Sequence, residues 1–238
     1  MTKELRIQGL QKRFGGVAAL NGIDVAVPPK SILGVIGMNG SGKTTMLNCI
    51  GGLYRADAGS IRLDGKELVG LAPERIALLG VGRTFQVPRV FPRLTLLDNL
   101  EVPQIPLHRS ADEVADQTEH WLREVELFDL RHNYGEELSG GQQKLLELAR
   151  IMVTRPQLIL LDEPFAGVNP RLAQLLINVI RKIPNEHDCS VVLVSHDLTS
   201  IYQLSNHIVV MNEGAILSEG DADHVRRDPA VVEAYLGA

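Results

Sequence analysis

Three short apolar runs mark the second half of the chain: Leu158-Ile159-Leu160-Leu161, Val191-Val192-Leu193-Val194 and Ile208-Val209-Val210-Met211. A fourth, Leu33-Gly34-Val35-Ile36, lies near its start. Each is continuous rather than alternating and rich in branched side chains, the pattern of parallel strands covered on both faces. Helical periodicity separates the later runs. Over residues 171–182, Leu172, Leu175, Leu176, Val179 and Ile180 share one face, and Pro184 is expected to stop the helix. This alternation predicts an α/β domain with a parallel sheet.

Two regions depart from that texture. Residues 5–27 alternate apolar and polar positions in pieces broken at Gly15-Gly16 and Asn21-Gly22, which predicts antiparallel strands joined by tight turns. Ala58-Gly59-Ser60-Ile61-Arg62-Leu63 adds a further strand to this small β-layer. Between Gln86 and Leu138 no buried-strand run occurs. Four prolines make its first half irregular, and residues 112–128 read as a helix with Val114, Thr118, Trp121, Leu122 and Val125 near one side. We expect a mostly helical insertion, approximately residues 87–155, within one domain spanning residues 1–238. Residues 221–236 read as short helices packed on the core.

Composition changes this picture little. The 238 residues are 45% hydrophobic and 22% charged, ordinary for a folded domain. The net charge of −5 argues against nucleic acid as the main partner. Cys49 and Cys189 have no disulfide or metal spacing and suit a reducing compartment. No apolar h-region follows the N-terminus, and no run approaches the ~20 residues of a membrane span. A membrane role is therefore expected only through a partner.

Chemistry gathers where the apolar runs end, the edge at which parallel sheets bind ligands. The first run leads into Gly37-Met38-Asn39-Gly40-Ser41-Gly42-Lys43-Thr44, which fits G-x-x-x-x-G-K-[ST], and Thr45 continues into a helical stretch. Such a loop wraps backbone N–H groups around phosphates, with Lys43 reaching the β- and γ-phosphates and Thr44 ligating Mg²⁺. The second run ends in Asp162-Glu163, a Walker B pattern: Asp162 to hold Mg²⁺, Glu163 to act as general base on water. The third run ends in Ser195-His196, which places an imidazole at the same edge. Gln86 follows Arg83-Thr84-Phe85; an amide oxygen can ligate Mg²⁺, although the residue type alone assigns nothing.

A second glycine-rich start occurs at Leu138-Ser139-Gly140-Gly141-Gln142. Ser139 with Gln142 fits a capping box, and Leu145, Leu146, Leu148, Ala149 and Met152 supply the apolar face of the following helix. That is a second anion-binding helix N-terminus. A nucleotide gripped from both sides, across a dimer, would use both.

In this order and spacing, these motifs make the chain resemble a nucleotide-binding subunit of an ABC transporter over essentially its whole length. The resemblance implies a P-loop RecA-like core with an antiparallel β-subdomain and a helical insertion. It implies that ATP and Mg²⁺ are bound, with Gly37, Asn39, Gly40, Ser41, Gly42, Lys43, Thr44 and Thr45 around the phosphates and Phe14 stacked on adenine. A plain β-strand core residue is the other reading of Phe14. Thr44, Gln86 and Asp162 become metal ligands, and Glu163, His196 and Lys43 the catalytic set. Ser139, Gly140 and Gly141 would complete the site of a second ATP-binding subunit in a head-to-tail sandwich. Further partners implied are transmembrane permease subunits and, indirectly, a periplasmic or extracellular solute-binding protein. The chain would then lie peripherally on the cytoplasmic face of the membrane.

The Gly82-Arg83-Thr84-Phe85-Gln86 segment, Ala166-Gly167-Val168-Asn169-Pro170 and the ending Glu233-Ala234-Tyr235-Leu236-Gly237 are similar to the branched-chain amino acid importer group. Urea and amide importers belong to that group, and a lipopolysaccharide exporter ATPase is close to it. Three positions depart from the usual pattern: Met38 for proline, Ser195 for glutamate and Asn169 for the aspartate that ends the loop after Glu163. A soluble ABC-type ATPase would carry two cassettes or a long coiled-coil insert. A small-molecule P-loop kinase would need an acceptor pocket and no Ser139-Gly140-Gly141. Neither pattern is found in the sequence.

Overall fold

The computed structural model describes residues 4–236; Met1-Thr2-Lys3 and Gly237 of the terminal motif lie outside them. The chain begins with β1 (Leu5–Phe14), β2 (Val17–Val27) and β3 (Ile32–Gly37), followed by α1 (Lys43–Ile50). Next come β4 (Ala58–Leu63), β5 (Lys66–Glu67), α2 (Pro73–Leu78) and β6 (Val81–Arg83). The helical stretch holds α3 (Leu96–Glu101), α4 (Ala111–Glu124) and α5 (Gly140–Met152). Strand and helix then alternate through β7 (Leu158–Asp162), α6 (Pro170–Glu186), β8 (Ser190–Val194), α7 (Leu198–Leu204) and β9 (His207–Asn212). The chain closes with β10 (Ala215–Gly220), α8 (Ala222–Arg227) and α9 (Pro229–Leu236).

Two sheets result. The larger has order β10-β9-β3-β8-β7-β6, parallel throughout except for the β9–β10 hairpin. The smaller is antiparallel, of order β2-β1-β4-β5. The continuous apolar runs have a direct cause. Ile159, Leu161, Val191, Leu193, Ile208 and Val210 enter a core shared with α4, α5 and α6. Their neighbours Leu158, Leu160, Val192, Val194, Val209 and Met211 enter a second core, shared with α1 and the antiparallel sheet. Successive side chains on a strand point to opposite faces, so strands between two cores lose the polar alternation.

Three local expectations are corrected. Asn21-Gly22 does not reverse the chain but forms a bulge inside β2, between the pairs Leu10↔Ile23 and Gln11↔Asn21. Gly22 takes φ 78°, and the Asn21 N–H turns outward to Gly214 O at 2.8 Å, which ties β2 to the β9–β10 hairpin. Pro184 does not stop α6 but lies in its last turn, where its missing N–H costs one helical bond and the apolar burial of Ile183 and Pro184 offsets that loss. The helix expected over residues 112–128 ends at Glu124. Glu126 adopts φ 54°, and bonds from Glu126 N to Arg123 O and Leu127 N to Leu122 O close a Schellman motif that needs no glycine here.

Candidate functional site

The Gly37–Thr44 loop is wound against its neighbours so tightly that Gly37 and Gly42 have no room for a side chain. A Cβ on Gly37 (φ 150°) would lie 2.2 Å from Met211 O, and one on Gly42 (φ 104°) 2.5 Å from Ala19 O. Gly42 caps α1, leaving the first N–H groups of the helix without helical acceptors. Lys43 Nζ donates to Gly37 O (2.7 Å) and Met38 O (2.9 Å) and lies 3.4 Å from Ser41 Oγ. Burial holds the Lys43 ammonium below the usual lysine pKa, with Glu163 and Asp162 opposing that shift. From the C-terminal helix, the Tyr235 hydroxyl meets the Gly37 backbone, and burial pushes its pKa up to about 12.

At the end of β7, the Thr44 hydroxyl donates to Asp162 Oδ1 at 3.5 Å. Burial raises the Asp162 pKa, while Arg83 pulls it down from 3.7 Å. Arg83 is itself fixed by Leu47 O (2.9 Å) and Asn48 Oδ1 (2.7 Å). Glu163 stands in the left-handed region, φ 51°, a cost of about 1 kcal/mol or more for a residue with a Cβ. Its N–H donates to Val194 O at 2.9 Å. Its carboxylate accepts from Ser195 Oγ (3.4 Å) and His196 N (3.3 Å) and lies 2.7 Å from His196 Nδ1.

Lys43, Thr44, Thr45, Gln86, Asp162 and Glu163 line one cleft of about 250 Å³, with Asn39, Gly40 and Gly42 on its loop side. Backbone donors and an ammonium face two carboxylates there, a composition suited to polyphosphate with a cation. The hydroxyl, amide and carboxylate oxygens of Thr44, Gln86 and Asp162 are the hard donors that Mg²⁺ prefers. Phe14 ends β1 away from either core, 44% exposed, edge-on to Tyr54 at 5.2 Å with Lys12 Nζ 5.4 Å from its ring. The core reading of Phe14 is thereby removed. Ser139 and Gly140 are exposed and form no part of the cleft; Gly141 packs beside Val168 and Leu172. The Ser139 capping box is present, with Ser139 Oγ accepting from Gln142 N at 3.4 Å. Asn169 caps α6 by accepting from Leu172 N at 3.0 Å.

Three residues near the cleft had no role in the sequence reading. Arg83 partners Asp162, and Lys144 and Glu147 of α5 bind the backbone of the loops carrying Glu163 and Gln86. A charge set within an apolar helical stripe was the available signal, since a buried charge requires partners. Burial raises the Glu147 pKa to about 7, against the backbone donors and Arg150.

The family model described as ABC transporter matches residues 20–166, from β2 through the Asp162-Glu163 turn. This chain belongs to that family. A second model, described as branched-chain amino acid ATP-binding cassette transporter, matches residues 215–238. A model described as AAA domain, putative AbiEii toxin, Type IV TA system, matches residues 133–201. The cassette is 42% identical to the high-affinity branched-chain amino acid transport ATP-binding protein BraF of Pseudomonas aeruginosa, over 98% of this chain and 97% of that one. It is 36% identical to the corresponding LivG of Escherichia coli K12, with the same coverage. The ADP conformation of MJ1267, an ATP-binding cassette of an ABC transporter, superposes with TM-score 0.87 at 32% identity, covering both chains fully. A dimeric structure of the cassette MJ0796 superposes with TM-score 0.83 at 26% identity, over 92% of this chain and 98% of that one.

The chain is thus an ATPase cassette with the expected P-loop core. Among the described residues, no helix is long and apolar enough to cross a membrane. A second, larger cleft of about 530 Å³ lies behind the Gln86 loop, lined by Phe85, Arg89, Pro103, Pro106, Leu107 and Ile151 among others. Its three arginines, Arg83, Arg89 and Arg150, are engaged with backbone carbonyls, Asn48, Asp162 and the Phe85 ring, and no glycine-rich helix start among the described residues faces it. Size therefore does not decide which of the two holds nucleotide.

Proposed function

We propose that the cassette powers the import of branched-chain amino acids or a related small polar solute, from the cytoplasmic face of a membrane and bound to transmembrane permease subunits. The observation that carries the chemistry is the convergence of Lys43, Thr44, Gln86, Asp162 and Glu163 on one cleft, with His196 on the Glu163 carboxylate. The P-loop binds the phosphates of ATP, and Phe14 offers its face to adenine. Thr44, Asp162 and Gln86 would hold Mg²⁺, whose charge would offset that of the phosphates. Glu163 orients the attacking water and takes its proton, and His196 fixes the carboxylate. Lys43 and the α1 N-terminus stabilise charge on the γ-phosphate. The exposed Ser139 and Gly140, outside this cleft, support a head-to-tail dimer in which the Ser139 end of α5 closes the nucleotide site of a second subunit. The larger cleft behind Gln86 suits a short cytoplasmic helix of the permease. A solute-binding protein outside the membrane would deliver cargo to that permease.

The amino-acid reading rests on the names of relatives and on the C-terminal family match. The test is co-purification with the permease, reconstitution in vesicles and ATP-driven uptake of leucine, isoleucine and valine beside urea and short amides. Uptake of urea alone, or outward movement of lipid, would replace this reading. For the sandwich, Glu163→Gln is expected to form an ATP-dependent dimer with turnover lowered roughly 10²–10⁴-fold but still measurable. A variant that stays monomeric with ATP and hydrolyses at the parent rate would remove both the dimer and the base.

A further inference from the structure

Helix α5 starts at the exposed Ser139 and ends inside the core at Met152. Two charged side chains on it, one turn apart, are buried: Lys144 is 9% exposed and Glu147 4%. Among the described residues neither makes a side-chain ion pair; each is satisfied by the main chain of a loop at the nucleotide cleft. Lys144 Nζ donates to Glu163 O at 2.8 Å and to Ala166 O at 2.7 Å. Glu147 accepts from Phe85 N at 3.4 Å and from Arg89 N at 2.9 Å, the two sides of Gln86. One turn further, Arg150 donates to the carbonyls of Arg89 and Asn99. Residues spaced by three share a helix face, so one stripe of α5 grips both loops.

The grip on Glu163 matters because that residue is held at φ 51°, a conformation that persists only where its surroundings determine it. Val194 holds its N–H and Lys144 its carbonyl, so the direction of the carboxylate depends on where α5 stands.

We propose that Lys144 and Glu147 are positioning residues that couple the Ser139 end of α5 to the catalytic loops of the same subunit, Lys144 setting Glu163 and Glu147 setting Gln86. The inference rests on the roles given above to Glu163 and Gln86. Capture of a second subunit's ATP at Ser139 then moves, through one rigid helix, the groups that hydrolyse the first subunit's own ATP. These hydrogen bonds give such coupling a contiguous path, and the kinetics decide whether it carries energy.

The test is steady-state ATP hydrolysis by the full chain, per nucleotide-binding site. Lys144→Met is expected to lower kcat at least tenfold with KM for ATP within about twofold, and Lys144→Arg to keep most of kcat. In a Glu163→Gln background, Lys144→Met is expected to add less than twofold, because it acts through Glu163. Glu147→Gln is expected to raise the Mg²⁺ concentration for half-maximal rate severalfold, as Gln86 loses its placement. Should Lys144→Met not fold, Lys144→Gln is read by the same criteria. A parent-like kcat in a folded Lys144 variant overturns the proposal. So does a kcat loss that multiplies with that of Glu163→Gln, or an unchanged Mg²⁺ requirement in Glu147→Gln. Parent-rate turnover by Glu163→Gln alone would instead remove the underlying assignment of the base.

Discussion

His196 Nδ1 lies 2.7 Å from Glu163 Oε2, and the same oxygen accepts the His196 backbone N–H at 3.3 Å. The two residues come from the ends of adjacent strands, β8 and β7, whose register pairs Val194 with Asp162. The carboxylate is thus held by its neighbour from two directions, and the imidazole reaches solvent, 71% exposed. His196→Ala is expected to lower kcat roughly 100-fold, the lower range for a group assisting proton transfer, with KM for ATP nearly unchanged. Steady-state kinetics checks this; a fall in affinity with kcat retained would make His196 a binding residue.

Lys43→Ala is expected to abolish measurable ATP binding rather than turnover alone. The ammonium makes charge-assisted bonds worth about 1.5–3 kcal/mol each, so losing two against phosphate weakens binding by roughly 100-fold or more. Calorimetric titration with ATP reads this. Undiminished binding would mean that the α1 N-terminus suffices without the lysine.

Arg83 is predicted to be a stability residue as well as a neighbour of Asp162, the carboxylate proposed to hold Mg²⁺. Its guanidinium and Asp162 have side chains only 10% and 6% exposed. Arg83→Ala leaves the buried Asp162 carboxylate without its cation and Leu47 O and Asn48 Oδ1 without their donor, a cost of about 3 kcal/mol. Arg83→Lys cannot restore all three contacts, because one ammonium does not span Leu47, Asn48 and Asp162 as a planar fork does. Urea unfolding of the two variants would show this as a lowered midpoint in both, larger for alanine.

The parts of the site legible in the sequence are those whose chemistry is local. The P-loop needs its glycines at fixed spacing, and Asp162, Glu163 and His196 follow directly on short, branched apolar runs whose length and alternation with helices mark them as buried strands. What escaped notice depends on through-space partners. Asn21-Gly22 looks the same as a hairpin turn, because a turn and a bulge both ask for φ > 0 at glycine, and only the contact with Gly214 distinguishes them. Glu126 ends α4 in a conformation usually given to glycine, so residue type carried no stop signal. Lys144 and Glu147 sit inside the apolar stripe of α5, and periodicity marks the stripe without saying which loops cross it. The 44% exposure of Phe14 likewise came from how β1 ends beyond both cores, not from its own alternation.

Glu147 makes stability depend on pH in a defined direction. Burial raises its folded pKa from 4.5 to about 7, despite the opposing backbone N–H groups of Arg89 and Phe85 and the charges of Arg150 and Lys144. The unfolded chain therefore ionises at this position first. Between about pH 4.5 and 7 the folded state keeps a proton that the unfolded state has released. The stabilisation associated with the protonated carboxyl is full below the lower value and is lost as pH rises through the upper one. The whole swing is about 3 kcal/mol. Glu147→Gln removes the titration, so its stability relative to the parent is expected to rise across this window by up to that amount. Urea denaturation of both chains at steps of pH measures the difference directly. Parallel stability curves would show that Glu147 titrates alike in the folded and unfolded chain, and a relative stability of Glu147→Gln that falls as pH rises would show an anion held by the loop N–H groups it binds.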